Sequence, residues 1–92
     1  MLKYIVEFLG TFLFLSVVIA TTNPVLIALA LLTATVLVAG VSGAHLNPAI
    51  SAMFYAKGSL SMNDLVGYVF AQTAGGLAAL SAYKIFGGKA PI

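Results

Sequence analysis

The sequence predicts an all-α membrane protein with three transmembrane helices plus one half-length re-entrant helix. Three observations carry that reading. The 92 residues are 62% hydrophobic and only 7% charged, at a mean hydropathy of +1.14. A soluble domain this small buries the smallest fraction of its surface and could not hide so much apolar area. Three apolar stretches, about residues 4–22, 24–41 and 64–86, are each long enough to cross a hydrocarbon core of about 30 Å. Between the second and third lies a fourth apolar run, Ile50 to Tyr55, far too short to span.

The first span follows Lys3, which invites comparison with a cleaved leader. Glu7 sits inside the run, however, and the run is long for the core of a leader, so a permanent span is expected. Asn23-Pro24 separates the first two spans. Asn is a good helix cap and Pro suits the first helical turn, so this reads as a tight helical hairpin. Gly40, Gly43 and the polar run Ser42-Gly43-Ala44-His45 break the second span. Asn47-Pro48 then opens a short helix that should close at Lys57-Gly58, with a cation in the last turn and glycine just past the end. Eight to ten residues make roughly 12–15 Å of helix, half a bilayer. Non-helical backbone at membrane depth is tolerated only where it is buried in protein or lines a water-filled cavity. Residues 42–57 therefore form a re-entrant hairpin or else a surface loop. Ser61 or Asn63 in the polar linker caps the third span. Within that span, Ala71, Ala74, Gly75, Gly76, Ala78, Ala79 and Ala82 offer a small-residue surface, whose simplest use is close helix packing.

Composition also excludes several functions. There is no Cys, so disulfides, thiol catalysis and thiolate metal sites are out. Lys3, Lys57, Lys84 and Lys89 are scattered and there is no Arg, which leaves no basic patch for nucleic acid. One His and two acidic residues, Glu7 and Asp64, on different predicted helices make no catalytic pair and no metal or cofactor site. No acidic ring or carbonyl-filter motif suggests an ion channel. An enzyme is not expected.

The re-entrant segment carries the chemistry. A helix N-terminus at mid-membrane bears partial positive charge and free N–H groups, which orient passing dipoles and repel cations. Asn47 adds an amide donor, Pro48 fixes the turn, and Ala49 is small enough for two such tips to meet. Ser42-Gly43-Ala44-His45-Leu46-Asn47-Pro48-Ala49-Ile50 resembles, almost letter for letter, the first Asn-Pro-Ala loop of the aquaporin and glycerol-facilitator family, the major intrinsic proteins. Glu7-Phe8-Leu9-Gly10-Thr11-Phe12 is similar to the start of that family's first helix. Ala71-Gln72 with Gly75 and Gly76 resembles its third. The whole of residues 1–92 thus resembles one half of an aquaporin-like inverted repeat, the N-terminal half.

The resemblance implies a pore lined by Asn47, Pro48, Ala49, Ile50, Ile27, His45 and Ala44. It implies Glu7 as a buried acceptor for the loop N–H groups and His45, with Gln72 as a second supporting residue. An ionisable group inside a span should face the bundle interior with a partner, which agrees for Glu7. For His45 and Gln72 a structural hydrogen-bonding role is expected. The family's aromatic filter position, twenty residues before Asn47, falls on Ile27. Where the family usually carries Arg after its second Asn-Pro-Ala, this chain has Ile50. Two isoleucines at each mouth imply a wider, more apolar constriction than in a strict water channel.

One half cannot close a pore. The economical completion is a second copy of the chain in inverted orientation, related by a two-fold axis in the membrane plane. The lysines agree: Lys3 and Lys57 fall on one side, Lys84 and Lys89 on the other, so the usual bias that fixes orientation is absent and dual topology is expected. By resemblance such pores gather in fours, implying about eight chains. The expected function is passive conduction of water and small neutral solutes such as glycerol by a multi-pass protein in the lipid bilayer. The alternative is a non-conducting membrane assembly module, or a subunit of a hetero-pore with a separate second half.

Overall fold

The computed structural model describes residues 1–88, and Lys89 of the lysine count lies outside them. The chain forms α1 (Leu2–Ala20), α2 (Pro24–Ser42), α3 (Pro48–Lys57) and α4 (Met62–Ile85). Helices α1, α2 and α4 are long and apolar enough to cross a membrane. The ten residues of α3 are not.

Each helix end has a local cause. Asn23 caps α2 by accepting from the N–H groups of Val25 and Leu26 at 2.9 and 3.3 Å, and Pro24 occupies the first turn. Gly43 and Gly58 close α2 and α3 in the left-handed conformation, φ 86° and 92°, where a β-carbon would be strained. Two boundaries differ from the sequence expectation. Helix α4 opens at Met62 because Ser61, not Asn63, is the cap, accepting from the Asp64 N–H at 3.1 Å. Helix α1 starts at Leu2, ahead of its apolar run. There Lys3 donates to Asp64 at 2.7 Å and the Tyr4 hydroxyl donates to the same carboxylate at 2.5 Å, which ties the first turns of α1 and α4 together.

Helix α1 is the centre of the bundle, packed between α2 and α4, while α3 lies on α4. Tyr4 sits by Gly67, Phe8 and Thr11 by Gly75, and Leu15 by Gly76, so α1 and α4 run parallel. Gly67, Ala71, Gly75 and Ala79 recur every fourth residue and so share one face of α4. That face is turned onto α1: a β-carbon on Gly75 would lie 2.7 Å from the Phe8 carbonyl oxygen. Three members of the small-residue surface seen in the sequence, Ala71, Gly75 and Ala79, are thereby consumed within the chain, together with their stripe neighbour Gly67. Helix α2 presents a matching stripe, Ala30, Ala34, Val38 and Ser42, all buried. Its other faces expose Leu29, Leu32, Val36 and Leu37, the surface that hydrocarbon accepts and water does not.

Candidate functional site: the re-entrant loop and its tip

The loop leaves α2 at Ser42, beside Glu7 near the start of α1, and α3 returns toward the first turn of α4. Entry and exit are therefore on one side. The turning point, Asn47-Pro48, shares a cavity of about 380 Å³ with Thr11, Phe14, Gln72 and Thr73. Thr11 is the middle of α1, and residues 72–73 are the middle of α4. The α3 N-terminus thus stands at mid-depth of the spanning helices, and the segment runs inside the bundle rather than over its surface.

What holds an irregular loop at that depth is one carboxylate. Glu7 is fully buried. Its Oε2 accepts from the Ser42 hydroxyl at 2.7 Å and the His45 N–H at 2.9 Å. Its Oε1 accepts from the Leu46 N–H at 2.8 Å and the Gln72 side-chain amide at 2.9 Å. Four hydrogen bonds to an ionised acceptor contribute about 1.5–3 kcal/mol each. Against them stand the desolvation of the carboxylate, several kcal/mol, and the strain of Ala44 and Leu46. Both of these non-glycine residues have positive φ, 52° and 55°, at roughly 1–2 kcal/mol apiece. The two costs and the four bonds are of similar size, so loss of even part of the carboxylate's bonding releases the loop.

His45 is reached by Glu7 through its backbone, not its ring. The ring is stacked on Phe54 at 4.9 Å between centroids and tilted against Tyr68 at 4.8 Å, with Nδ1 2.9 Å from the Ser51 hydroxyl. The imidazole is therefore buried beneath the loop, on the side away from the exposed tip. Gln72 gives its amide protons to Glu7 and to Ser51, the latter at 3.0 Å, which turns its Oε1 into a buried position without a partner. The Tyr68 hydroxyl donates to the Ser42 carbonyl at 2.7 Å. Ser42, Ser51 and Tyr68 complete this network, and sequence reasoning assigned none of them. Ser51 had a signal: it stands one turn after Asn47 and is the one Ser or Thr of a short apolar helix. Tyr68 had a weaker one, its four-residue register with Gln72.

At the tip, Asn47 accepts from the Ala49 N–H through its side-chain oxygen at 2.8 Å. Its backbone carbonyl takes the Ile50 and Ser51 N–H groups at 3.1 and 3.2 Å. The amide oxygen being occupied, the Asn47 NH₂ is left as the outward donor. Asn47, Pro48, Ala49 and Ile50 are all exposed, and Ala44 is half-buried. Ile27 is half-buried in the first turn of α2, at the opposite end of the bundle from the loop entry. The fold thus brings together Glu7, Ser42, His45, Ser51 and Gln72 behind the tip and presents Asn47 to Ile50 on it. It leaves Ile27 apart from both groups.

Comparison with known proteins accords with this geometry. The model of the family described as "MIP: Major intrinsic protein" matches residues 22–90. The protein described as "Glycerol uptake facilitator protein-like 6" of Lactiplantibacillus plantarum is 37% identical over 95 aligned residues, which cover 94% of this chain. The chain spans 44% of the length of that relative. No solved structure matches it.

Proposed function

The chain belongs to the major intrinsic protein family, and from that premise we propose that it supplies half of a passive membrane channel for water and small neutral solutes, completed by a second copy in inverted orientation. The observation that carries this reading is the exposed N-terminus of α3 at mid-depth, with the Asn47 NH₂ free to donate. A helix start carries roughly half a positive charge. Two such ends facing across the membrane centre make a barrier to cations. A neutral molecule with lone pairs accepts from the two Asn47 donors and passes. The buried network behind the loop fixes the donor in place, so no reorganisation is required for each molecule that goes through.

An inverted second copy is favoured because a parallel one would put both α3 tips on the same side, with nothing to meet. Lys3 and Lys57 on one side against Lys84 on the other give no strong orientation bias among the described residues. The glycerol in the relative's name, together with Ile50 where an arginine would narrow the path, extends the proposed cargo from water to small polyols. The packing-module alternative has less to rest on, because the α4 stripe it would use is occupied by α1.

The test is stopped-flow light scattering on liposomes holding only this chain, first under a sucrose gradient and then under a glycerol gradient. Rapid shrinkage with low activation energy is expected, followed by rapid glycerol re-swelling. Shrinkage no faster than in liposomes loaded equally with an unrelated membrane protein refutes the homodimeric channel and leaves a pore completed by a non-identical half.

A further inference from the structure

A run of ring contacts crosses the loop-entry end of the bundle. Lys57 Nζ lies 5.6 Å from the Phe54 ring centre. Phe54 is stacked on His45, and His45 is tilted against Tyr68. Tyr68 meets Tyr4 edge-on at 5.9 Å, and Lys3 Nζ lies 5.7 Å from the Tyr4 ring centre. His45, the single histidine of the chain, stands in the middle, and the hydrogen bonds beside it fix where its proton sits. The Gln72 nitrogen faces Glu7, a carboxylate with nothing to donate, and the same NH₂ donates to the buried Ser51 hydroxyl at 3.0 Å. Ser51 therefore accepts there and has its own proton to place. Ser16 and Ser81 send theirs to the carbonyl four residues back. For Ser51 that carbonyl is Asn47, already occupied by the Ile50 and Ser51 N–H groups. The one acceptor the Ser51 hydroxyl has among the described residues is His45 Nδ1, at 2.9 Å. Nδ1 accepts, so the imidazole proton is on Nε2. Nε2 lies on the Gly43 side of the ring, 3.6 Å from where a β-carbon on that glycine would stand. It is not among the buried atoms left without a partner, so it opens to the loop entry.

We propose that His45 and Ser51 form an acid-sensitive latch on the re-entrant loop, an inference that does not rest on the channel reading. With the imidazole neutral, the bonds run one way, from Gln72 to Ser51 to His45. A proton added at Nδ1 faces the Ser51 proton across 2.9 Å. The imidazolium cannot give way, because both of its nitrogens are donors. Ser51 has to reverse, and the acceptor left for its proton is the crowded Asn47 carbonyl. A change at the loop entry is thereby delivered to the residue at the tip. No neighbouring charge is placed to relieve it. On α1, the Glu7 carboxylate is committed to the His45 N–H and three other donors, and Lys3 and Tyr4 stand beyond Tyr68. On α3 the charged neighbour is Lys57, across Phe54 and of like sign. On α4 they are Tyr68, whose hydroxyl is bound to the Ser42 carbonyl, and Asp64, which is paired with Lys3. Helix α2 brings only the neutral Ser42. Imidazole is the side chain whose charge ordinarily changes between about pH 5 and pH 8. Acidification over that range should slacken the loop while the α1–α4 seam holds.

A single histidine gives one imidazole signal without background. Nitrogen-15 NMR of the chain in lipid nanodiscs at about pH 8 reads the tautomer, and the proton is expected on Nε2. Amide exchange then reads the latch. Protection at Leu46 and Ser51, corrected for the intrinsic pH dependence of exchange, should fall between about pH 8 and about pH 5. The fall should be no steeper than about tenfold per pH unit, the limit for one proton. Phe12 and Ala79 should keep their protection. In His45→Gln, which has no titrating ring, Leu46 and Ser51 should show no such fall, and circular dichroism checks that its helices form. If that variant does not fold, the tautomer and the two amides of the unmodified chain still decide. A proton on Nδ1 overturns the latch, and so does protection that stays flat with pH in the unmodified chain. An equal fall in His45→Gln overturns it too, because a carboxylate, Glu7 or Asp64, is then the group that titrates. Water flux enters none of these readings, so failure of the latch leaves the channel proposal standing, and a chain that passes no water can still show the latch.

Discussion

Replacing Glu7 by Gln tests whether one carboxylate holds the loop. The substitution keeps shape and removes charge, and the cheapest way to seat the new amide can be worked out from the partners. Its NH₂ must face one of two donor pairs. Toward Leu46 and Gln72 it would meet a backbone N–H and a side-chain NH₂ that already serves Ser51. Toward Ser42 and His45 it meets one hydroxyl that can reverse and accept, turning its own proton to the Val38 carbonyl at 3.3 Å. In that better orientation only the His45 N–H is orphaned. One charge-assisted bond is lost, and the other bonds fall from charged to neutral strength, about half. The gross loss is about 4–7 kcal/mol, and partial relief of the carboxylate's desolvation brings it to about 3–5 kcal/mol, enough to release the strained Ala44 and Leu46 backbone. The α1–α4 stripe does not depend on Glu7, so the three long helices should stay assembled. Hydrogen exchange is the assay. The His45 and Leu46 amides should lose roughly a hundredfold or more in protection, at 1.4 kcal/mol per factor of ten, while α1 and α4 amides such as those of Phe12 and Ala79 change little. Water flux should fall with the loop. Wild-type protection at His45 and Leu46 would refute the reasoning, and so would uniform loss across all four helices.

Four further expectations follow from the same geometry. Gly75→Ala should cost about 1–3 kcal/mol by overpacking against the Phe8 carbonyl, lowering the thermal midpoint in detergent. Gly40→Ala, where a β-carbon meets nothing within 4 Å, should be neutral or stabilising by under about 1 kcal/mol. Asp64→Asn removes the Lys3 ion pair, whose partners are 38% and 21% exposed. It should cost no more than about 1 kcal/mol and leave flux within about twofold of wild type, and the difference should shrink in high salt. Asn47→Ala removes both the α3 cap and the outward donor. Loss of the cap alone costs about 1 kcal/mol, so the variant should still fold by circular dichroism yet lose most of its water flux in liposomes.

The elements were legible because lipid makes the hydrophobic signal simple: apolar runs of spanning length are helices, and Asn-Pro and Lys-Gly mark where α3 begins and ends. The site was legible in one respect more than expected from pattern alone, since an acid inside α1 requires donors and a glycine-broken loop offers them. What the sequence does not display is which donors. His45 does reach Glu7, but through its backbone N–H, while its ring is turned to Ser51 and caged by Phe54 and Tyr68. The contacts join residues 35 to 65 positions apart, and no local period encodes them. The small residues of α4 were visible as a packing surface. Their partner was not, because every fourth position being small says that something approaches closely without saying what. Hydroxyls are the hardest case. Ser42, Ser51 and Thr73 look alike in the sequence, and only the fold separates one that supports the loop from one that faces outward.

The four donors that satisfy Glu7 have a consequence for how the chain is made. They come from residues 42, 45, 46 and 72, whereas the carboxylate is synthesised first. At 5–20 residues per second, roughly three to thirteen seconds separate the emergence of Glu7 from that of Gln72. Until residues 42–46 emerge, α1 carries an acid that bare hydrocarbon would reject, and until Gln72 emerges one of its four bonds is unmade. Three donors emerge 35 to 39 residues after Glu7 and the last 65 after it, so the first helix is expected to reach its final depth in two stages, with the re-entrant loop and then with the last helix.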